Sequence, residues 1–346
     1  MKKYLLVILI AFLTSCKTEN KNTLQNKNTE KLKFSEKNLA INENYKIGDV
    51  RRYGIFPDSA YAYTHPITKE PKINSILDLA EQNGVELFFP KGNYKYPLIL
   101  DSRENITIKS DKAEFDIIQI TPNAKNRKKP KNITIKGTII TFDRLGITEA
   151  SNIKIDSVII HSSIEKNPRK TRSRGCHIYH GCNNIKIKYL QIKDFGSGDK
   201  RYQNNHAALA IDGWGNNPKN IRIDEVIINS SDRHGVYITG ENNVIKKMTI
   251  EKYGQGSSEL MSGMQDAAKG EEKVLSGLWV NRCNNCTLNY VTVLTKGNNG
   301  YALKLDEGKS SEPTIINKII LDVDYKDELI LDDLLTNVLV KKIIKQ

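Results

Sequence analysis

Apolar and polar residues alternate over much of the chain, with a period of two residues. Most alternating segments begin with Asn-Ile-x-Ile or a close variant and continue into a second apolar alternation. The segments are NITIKS (105–110), NITIKGTII (132–140), NIKIDSVII (152–160), NIKIKYLQI (184–192), NIRIDEVII (220–228), NVIKKMTI (243–250), NCTLNYVTV (285–293) and TIINKIILDV (314–323). A period of two predicts strands, whereas helical solenoid repeats are longer and have a period near 3.6.

The segments recur as a unit of about 20 residues that carries insertions of varying length. A single coil of such strands cannot bury its apolar face, but parallel stacking of coils buries a continuous apolar column. Stacking also places the repeated Asn residues above one another at a tight turn. There Asn tolerates the left-handed conformation, and its amide can bond to the Asn one coil away.

On these repeats the chain resembles the right-handed parallel β-helix of the pectin lyase-like (pectate lyase) superfamily, over roughly residues 100–330. The segments DVRRYGIFPD (49–58) and INSILDLAEQNGVELFFPKGNYKYPLIL (73–100) resemble the entry region of such proteins. The resemblance implies an all-β fold, a single-stranded solenoid whose open end is capped by an amphipathic helix over 73–82. The Gly-Asp-Gly and Asp-Asp residues usual after the Tyr-Gly pair are absent, so the subfamily stays open.

The first sixteen residues, MKKYLLVILIAFLTSC, form a signal peptide with a basic start and an apolar run too short to span a bilayer. They resemble a bacterial lipoprotein signal, which implies lipidation at Cys16 and anchoring of the exported protein to the outer membrane or cell surface. Residues 17–45 are polar and predict a disordered tether. The N-terminal cap and first coil are expected over 46–100, and the β-helix over 101–346.

Aligning four successive strands on their inward residues predicts a polar strip on the outer surface. The strands are GCHIYHG (175–181), ALAIDGW (208–214), GVYITGE (235–241) and GLWVNRC (277–283). One outward column then holds His177, Ala210, Tyr237 and Trp279, and the next holds Tyr179, Asp212, Thr239 and Asn281. Three long insertions (164–174, 196–206 and 255–274) fall immediately before these strands, where solenoid loops commonly form a binding face.

Basic and aromatic side chains concentrate at this strip, which favours an acidic carbohydrate as its ligand. The predicted substrate-binding residues are Arg172, Arg174, His177, Tyr179, Arg201, Trp214, Trp279 and Arg282. The formal net charge of +13 likewise favours a polyanionic partner. For an exported protein that partner is an acidic polysaccharide rather than nucleic acid, and we expect a monomer.

The residue types at the strip bear on the reaction. Glycoside hydrolysis needs two carboxylates across the scissile bond, but the Asp set of the polygalacturonase-type relatives is missing, so a hydrolase would have to use Asp212 and Asp232. Elimination from a uronate polymer instead needs a cation, a base and a proton donor. A lyase or epimerase is therefore favoured, with the candidate catalytic residues Lys200, His206, Asp212, Asp232, Arg233, His234 and Tyr237.

Metals and cysteines add little to this prediction. Calcium would suit several lyases of the superfamily, yet no cluster of acidic residues at neighbouring coil positions is evident, so the cofactor stays unknown and no metal ligand is assigned. CNNC (283–286) has the spacing of half a zinc site without its partner, and Cys176, Cys283 and Cys286 are interpreted as small core or turn residues. A non-catalytic glycan-binding β-helix remains the alternative to an enzyme.

Overall fold

The predicted alternation appears as strands in the computed structural model of the chain. The structure describes residues 36, 39, 41–59, 72–162, 172–196, 207–256, 275–298, 300–306, 308–309, 311–322, 330–332 and 337–346. They all belong to one compact unit, 34–346. Cys16 and the predicted signal peptide, and all but a few residues of the predicted tether, lie outside the described residues. No helix among the described residues is long and apolar enough to cross a membrane.

Almost all regular structure in the described residues is β-strand. A 3-10 helix (Val50–Tyr53) and α1 (Lys72–Asn83) precede the strands. The strands are β1 (Leu87–Phe89), β2 (Gly92–Asn93), β3 (Leu98–Ile99), β4 (Glu104–Ile120), β5 (Lys131–Thr148), β6 (Ser151–Ile160), β7 (Gly175–Tyr179), β8 (Asn183–Ile192), β9 (Ala207–Asp212), β10 (Arg222–Ile228), β11 (His234–Glu241), β12 (Val244–Ile250), β13 (Ser276–Asn284), β14 (Thr287–Leu294), β15 (Tyr301–Leu305), β16 (Thr314–Asp322), β17 (Ile330–Asp332), β18 (Val338–Val340) and β19 (Ile343–Lys345).

The strands pair in parallel and form two stacks, as a β-helix requires. The first stack runs from β1 through β4, β5, β6, β8, β10, β12, β14 and β16 to β18 and β19. The second stack runs from β3 through the later parts of β4 and β5 to β7, β9, β11, β13, β15 and β17. Each coil contributes to both stacks, the early coils through the two parts of the long strands β4 and β5 and the later coils through separate strands, so the protein is a parallel β-helix, as the repeats predicted.

The inward columns of the second stack match the predicted alignment. Leu209 pairs with Cys176 on one side and with Val236 on the other, and Val236 pairs with Leu278. These side chains are fully buried. A continuous aliphatic core therefore fixes the register, because a slip of one residue would turn every apolar side chain outward.

The repeated asparagines form the predicted ladder at the turn between the stacks. Asn105, Asn132, Asn152 and Asn184 all have φ between 55° and 57°. Each amide Nδ2 donates to the Oδ1 of the preceding Asn, over 2.9 Å, 3.0 Å and 2.7 Å in turn. Asn therefore suits this position for two reasons: it tolerates the left-handed backbone, and its amide links neighbouring coils.

The predicted amphipathic helix is present as α1 and packs against β4. Its apolar face, which includes Ile76 and Leu77, is buried. On its polar face, Arg103 at the start of the β-helix forms ion pairs with Asp78 and Glu81. The helix therefore shields the apolar end of the first coils from water.

The interpretation of Cys283 and Cys286 as separate small residues is wrong, because the two form a disulfide. They flank a two-residue turn in which Asn285 adopts φ 53°, and this turn brings their Cα atoms to 5.8 Å. That separation lies within the usual range for a disulfide. Cys176 and Cys182 are free thiols inside the core.

Candidate functional site

The predicted outward column lies in register on the second stack. His177 pairs with Ala210, Ala210 with Tyr237, and Tyr237 with Trp279. Tyr179 pairs with Asp212 in the next outward position. We call this surface the strip and define it by His177, Tyr179, Ala210, Asp212, Tyr237 and Trp279. Parallel stacking therefore places the aromatic groups of β7, β11 and β13 on one face, as the alignment predicted, while β9 contributes Ala210 and Asp212.

Aromatic rings contact one another along the strip. The ring centroid of Tyr237 lies 4.5 Å from that of Trp279, and the ring centroid of His234 lies 4.9 Å from that of Trp279. Two coils before Tyr237, the rings of His177 and Tyr179 stack, with their centroids 4.9 Å apart and an angle of 11° between their planes. Such contacts hold the rings in defined orientations and so preorganise a platform for a ligand.

One end of the strip carries a cation on an aromatic face. The Lys304 Nζ lies 3.9 Å from the centre of the Trp279 ring. The indole Nε1 donates to an Asp306 carboxylate oxygen over 2.6 Å, and Lys304 lies 3.7 Å from the same oxygen. Asn281 donates to the Tyr237 hydroxyl over 2.9 Å. These groups fix the ring planes of Trp279 and Tyr237 from the side.

The other end carries a second cation where the column lacks a side chain. Gly146 pairs with His177, and the guanidinium of Arg144 lies against Gly146, with its Nε 3.2 Å from where a Cβ would stand. Burial raises the pKa of Tyr179, the nearby Asp212 carboxylate raises it further, and Arg144 opposes them. Tyr179 therefore stays protonated at neutral pH and can donate a proton or hydrogen bond.

The strip is more enclosed than the alignment predicted. His177 is 3% exposed and Tyr237 is 7% exposed, although both point away from the core. Ala207, Ala210 and Tyr237 form a small apolar cluster of their own on this outer side, with Tyr179 and Trp279 packed against it. Low exposure strengthens the electrostatic effect of any charge held at the site.

Asp232, Arg233 and His234, proposed as a catalytic cluster, are all buried at the beginning of β11. Arg172 forms an ion pair with Asp232. Arg233 is only 1% exposed and is the bulkiest of the fully buried side chains among the described residues. The three residues thus lie inside the wall of the β-helix, beside the strip, rather than on its surface.

The tautomer of His234 follows from its partners. The backbone N–H of Ser276 donates to the His234 Nδ1 over 3.0 Å, and the Ser276 hydroxyl lies 2.9 Å from the same atom. Because a backbone N–H can only donate, Nδ1 must be the acceptor and the ring proton sits on Nε2. In this state His234 can act at Nε2 as a hydrogen-bond donor, not as a base.

The two carboxylates of the hydrolase alternative are not brought together. Asp212 accepts the backbone N–H groups of Gly213 and Trp214 and so caps the turn after β9. In the strand register His234 pairs with Ala207, five residues before Asp212, and Asp232 precedes His234. The position of Asp212 is therefore five residues, roughly 16 Å at about 3.3 Å per residue, from that of His234, and Asp232 lies beyond His234 at the opposite end of the strands. Glycosidase pairs lie about 5 to 9.5 Å apart.

Arg174, predicted to bind substrate or neutralise it, is committed to the fold instead. Its guanidinium forms two hydrogen bonds to the Asp143 carboxylate, one of them over 2.7 Å, and both side chains are buried. This bidentate pair joins two successive coils. The positive charge was evident from the sequence, but its carboxylate partner was not, since Asp143 lies in a different repeat.

Of the remaining predicted site residues, some are exposed and others lie outside the described residues. Trp214 is 71% exposed and adopts φ 51°, and Arg282 is exposed with φ 48°. Trp214 lies in the turn after β9, whereas Arg282 lies within β13, where the pairing with β11 is irregular. Lys200, Arg201 and His206 lie outside the described residues. No group of three His, Cys, Asp or Glu suited to a metal ion occurs in the part of the chain that the structure describes.

Arg144 and Lys304 are the site residues that sequence reasoning missed. The alignment covered only four coils, and both cations lie one coil beyond its ends. Extending the outward column by one coil in each direction would have reached Gly146 and Lys304. Comparison of the chain with protein-family models, curated proteins and solved structures found no match. The function must therefore be argued from the geometry of the strip.

Proposed function

We propose that this chain is an exported, lipid-anchored carbohydrate-active protein that holds an acidic polysaccharide along the strip and cleaves or epimerises it by abstracting a proton. The observation that carries the proposal is the row of aromatic rings that β7, β11 and β13 place on one face of the second stack, with a cation at each end. Tyr179, Tyr237 and Trp279 form the row, and Arg144 and Lys304 flank it. The resemblance of its repeats to pectin lyase-like β-helices supports the same assignment.

The groups at the strip suit elimination from a uronate. A cation such as Arg144 would pair with the uronate carboxylate and so acidify the proton on the adjacent carbon. A base removes that proton, the electron pair forms a carbon–carbon double bond, and the bond to the leaving glycosidic oxygen breaks. Tyr179, kept neutral by burial, is suited to protonate that oxygen. Lys200 and His206 remain the candidates for the base.

A second candidate function is glycan binding without chemistry. The observation that favours it is that the acidic and basic groups proposed for catalysis have other roles in the described residues. Asp212 caps a turn, Asp232 pairs with Arg172, and the His234 Nδ1 accepts a backbone N–H. A binding module would keep the aromatic row and its cations and would need no base.

A substrate panel separates these functions. The purified chain is incubated with alginate, pectate, glycosaminoglycan, ulvan and carrageenan, and ultraviolet absorbance of unsaturated uronate is followed alongside reducing ends. We expect both signals to rise together, and Tyr179→Phe to lower kcat while KM changes little. Reducing ends without absorbance would indicate a hydrolase. Binding with neither signal would indicate the non-catalytic module, after proton exchange at the uronate has excluded an epimerase.

The strip itself is tested by removing one ring. Trp279→Ala should weaken binding of the best polysaccharide by about tenfold or more, as expected for a central aromatic contact. Tyr290→Ala is the matched control, because Tyr290 is an aromatic residue that is 58% exposed on β14 of the first stack. Equal affinities of the two variants, with native circular dichroism, would reject the strip as the binding surface.

A further inference from the structure

A second surface feature lies on the first stack, away from the strip. It is a groove of about 580 Å³ on the outer side of β5, β6, β8, β10 and β12. We call it the cationic groove and define it by Lys154, Lys186, Arg222, Lys188 and Lys246, which line it. The proposed reaction at the strip uses none of these residues.

Three of the cations form a column with one charge per coil. Lys154 pairs with Lys186, and Lys186 with Arg222, in the parallel register of β6, β8 and β10. All three are exposed. Successive coils are about 4.8 Å apart, so the charges repeat at that spacing. Like charges this close are destabilising unless a ligand or solvent compensates them.

The neighbouring charges of the groove are compensated, in contrast to this column. Lys188 pairs with Asp156 and Lys246 pairs with Asp224, each over 2.7 Å. Within the described residues no carboxylate lies within 4.0 Å of the charged groups of Lys154, Lys186 or Arg222. The groove thus holds a row of three positive charges that have no carboxylate partner in the part of the chain that the structure describes.

We propose that the cationic groove binds an extended acidic polysaccharide chain lying across the coils, at a site separate from the strip. The groove spans five coils, roughly 19 Å at about 4.8 Å per coil, which accommodates several sugar units of a linear polymer. A polymer with an anionic group on successive units would meet one cation per coil. Its hydroxyl groups could donate to the carboxylates of Asp156 and Asp224 within the groove.

The shape and lining favour a polysaccharide over other anions. A lipid surface is broad and needs protruding cations, whereas these cations lie along a concave groove. Single-stranded nucleic acid is usually held by aromatic side chains that stack on its bases, and none is among the groove's described lining residues. A second site on the same solenoid would raise the overall affinity for a long chain by local concentration.

The test compares two variants of the full chain that lose the same charge. One carries Lys154→Gln, Lys186→Gln and Arg222→Gln. The control carries Lys91→Gln, Lys125→Gln and Lys341→Gln, three exposed cations that do not line the groove. Affinity for alginate, polygalacturonate and heparin is measured at low ionic strength. We expect the groove variant to bind on the order of tenfold more weakly and the control to change by less than about twofold.

The outcomes distinguish the groove from the strip. Loss of affinity in the groove variant, with residual binding still sensitive to Trp279→Ala, supports two sites. Equal affinities of the groove variant and its control would overturn the groove proposal and leave the strip untouched. Loss in the groove variant alone, with no effect of Trp279→Ala, would retain the groove and reject the proposed function. If the groove variant lost binding to phosphatidylglycerol vesicles or to DNA while its polysaccharide binding stayed unchanged, the groove proposal would also be overturned.

Discussion

At the scale of single residues, the surroundings of each charge decide its role. Arg174 and Lys304 are both basic residues near the strip, but only Lys304 is placed to meet a ligand. Arg174 is buried against Asp143, whereas Lys304 lies partly exposed over the Trp279 ring. A buried charge requires a partner because desolvation is costly, so Arg174 cannot turn outward without breaking its buried bidentate pair with Asp143.

Arg174→Met should therefore act on stability. We expect the free energy of unfolding to fall by about 3 to 5 kcal/mol, because the substitution breaks the buried ion pair by removing one member and leaves Asp143 without the Arg174 charge. The double variant Arg174→Met, Asp143→Leu should recover much of that loss, since no charge remains to be paired. Urea unfolding followed by circular dichroism measures both. A single variant of native stability that has lost polysaccharide binding would instead restore the substrate-binding role.

At the scale of the elements, register joins residues that are far apart in the chain. The ladder from Asn105 to Asn184 and the strip both arise because each strand stacks on its counterpart one coil away. The same register separates Asp212 from Asp232, although both were predicted to line one site. A shared surface thus depends on the position within the coil as well as on the face of the strand.

Asn152 allows the two contributions of a ladder residue to be measured. Asn152→Gly keeps the left-handed backbone accessible but removes both side-chain hydrogen bonds, so we expect a loss of about 1 to 2 kcal/mol. Asn152→Ala should cost roughly 1 to 2 kcal/mol more, because Ala must also adopt φ near 56°. Chemical denaturation of both variants tests this. Equal stabilities would mean that the turn relaxes to another conformation.

At the scale of the whole molecule, one buried aliphatic column stabilises the fold, and both proposed binding sites lie on the outer faces of the β-helix. The core runs from the residues under α1 through the coils to Leu321 on β16. It also encloses two thiols, and burial raises the pKa of Cys176 and raises that of Cys182 to about 12. In the unfolded chain the same thiols ionise near pH 8.5.

This difference predicts how stability depends on pH. Both folded-state pKa values are raised, so the stabilisation is complete below about pH 8.5 and is lost as pH rises towards the folded values. Each thiol should lower the free energy of unfolding by up to about 1.4 kcal/mol per pH unit above that point. Urea unfolding between about pH 8 and 9.5 measures the slope.

Cys176→Ala should reduce the pH dependence of the free energy of unfolding by the contribution of one thiol. Ile178→Val is the control, because it weakens the same core by about 1 kcal/mol without removing a titrating group. It should lower stability equally at every pH and keep the native slope. An unchanged slope in Cys176→Ala would show that the thiol does not carry the dependence.

The fold could be predicted in detail, and the strip in part, for one reason. The alternation around Leu209 and Ile211, and the Asn of each turn, repeat along the chain, so the strands, the ladder and the outward column were all readable. The Cys283–Cys286 disulfide was missed because CNNC suits a turn, a metal ligand pair or a disulfide equally well. The partners of Arg174 and His234 were missed because they come from other repeats.

The amino-acid sequence by itself determined the parallel β-helix, its capping helix and the face that gathers Tyr237 and Trp279, because local periodicity and stacking of like on like need no knowledge of distant contacts. Only the tertiary structure decided which charges are structural and which are available. It placed Asp143 against Arg174, brought Arg144 over Gly146, and left Lys154, Lys186 and Arg222 aligned in an open groove. Those outcomes depend on burial and on the distance between side chains of different coils, which insertions of unequal length conceal in the linear chain.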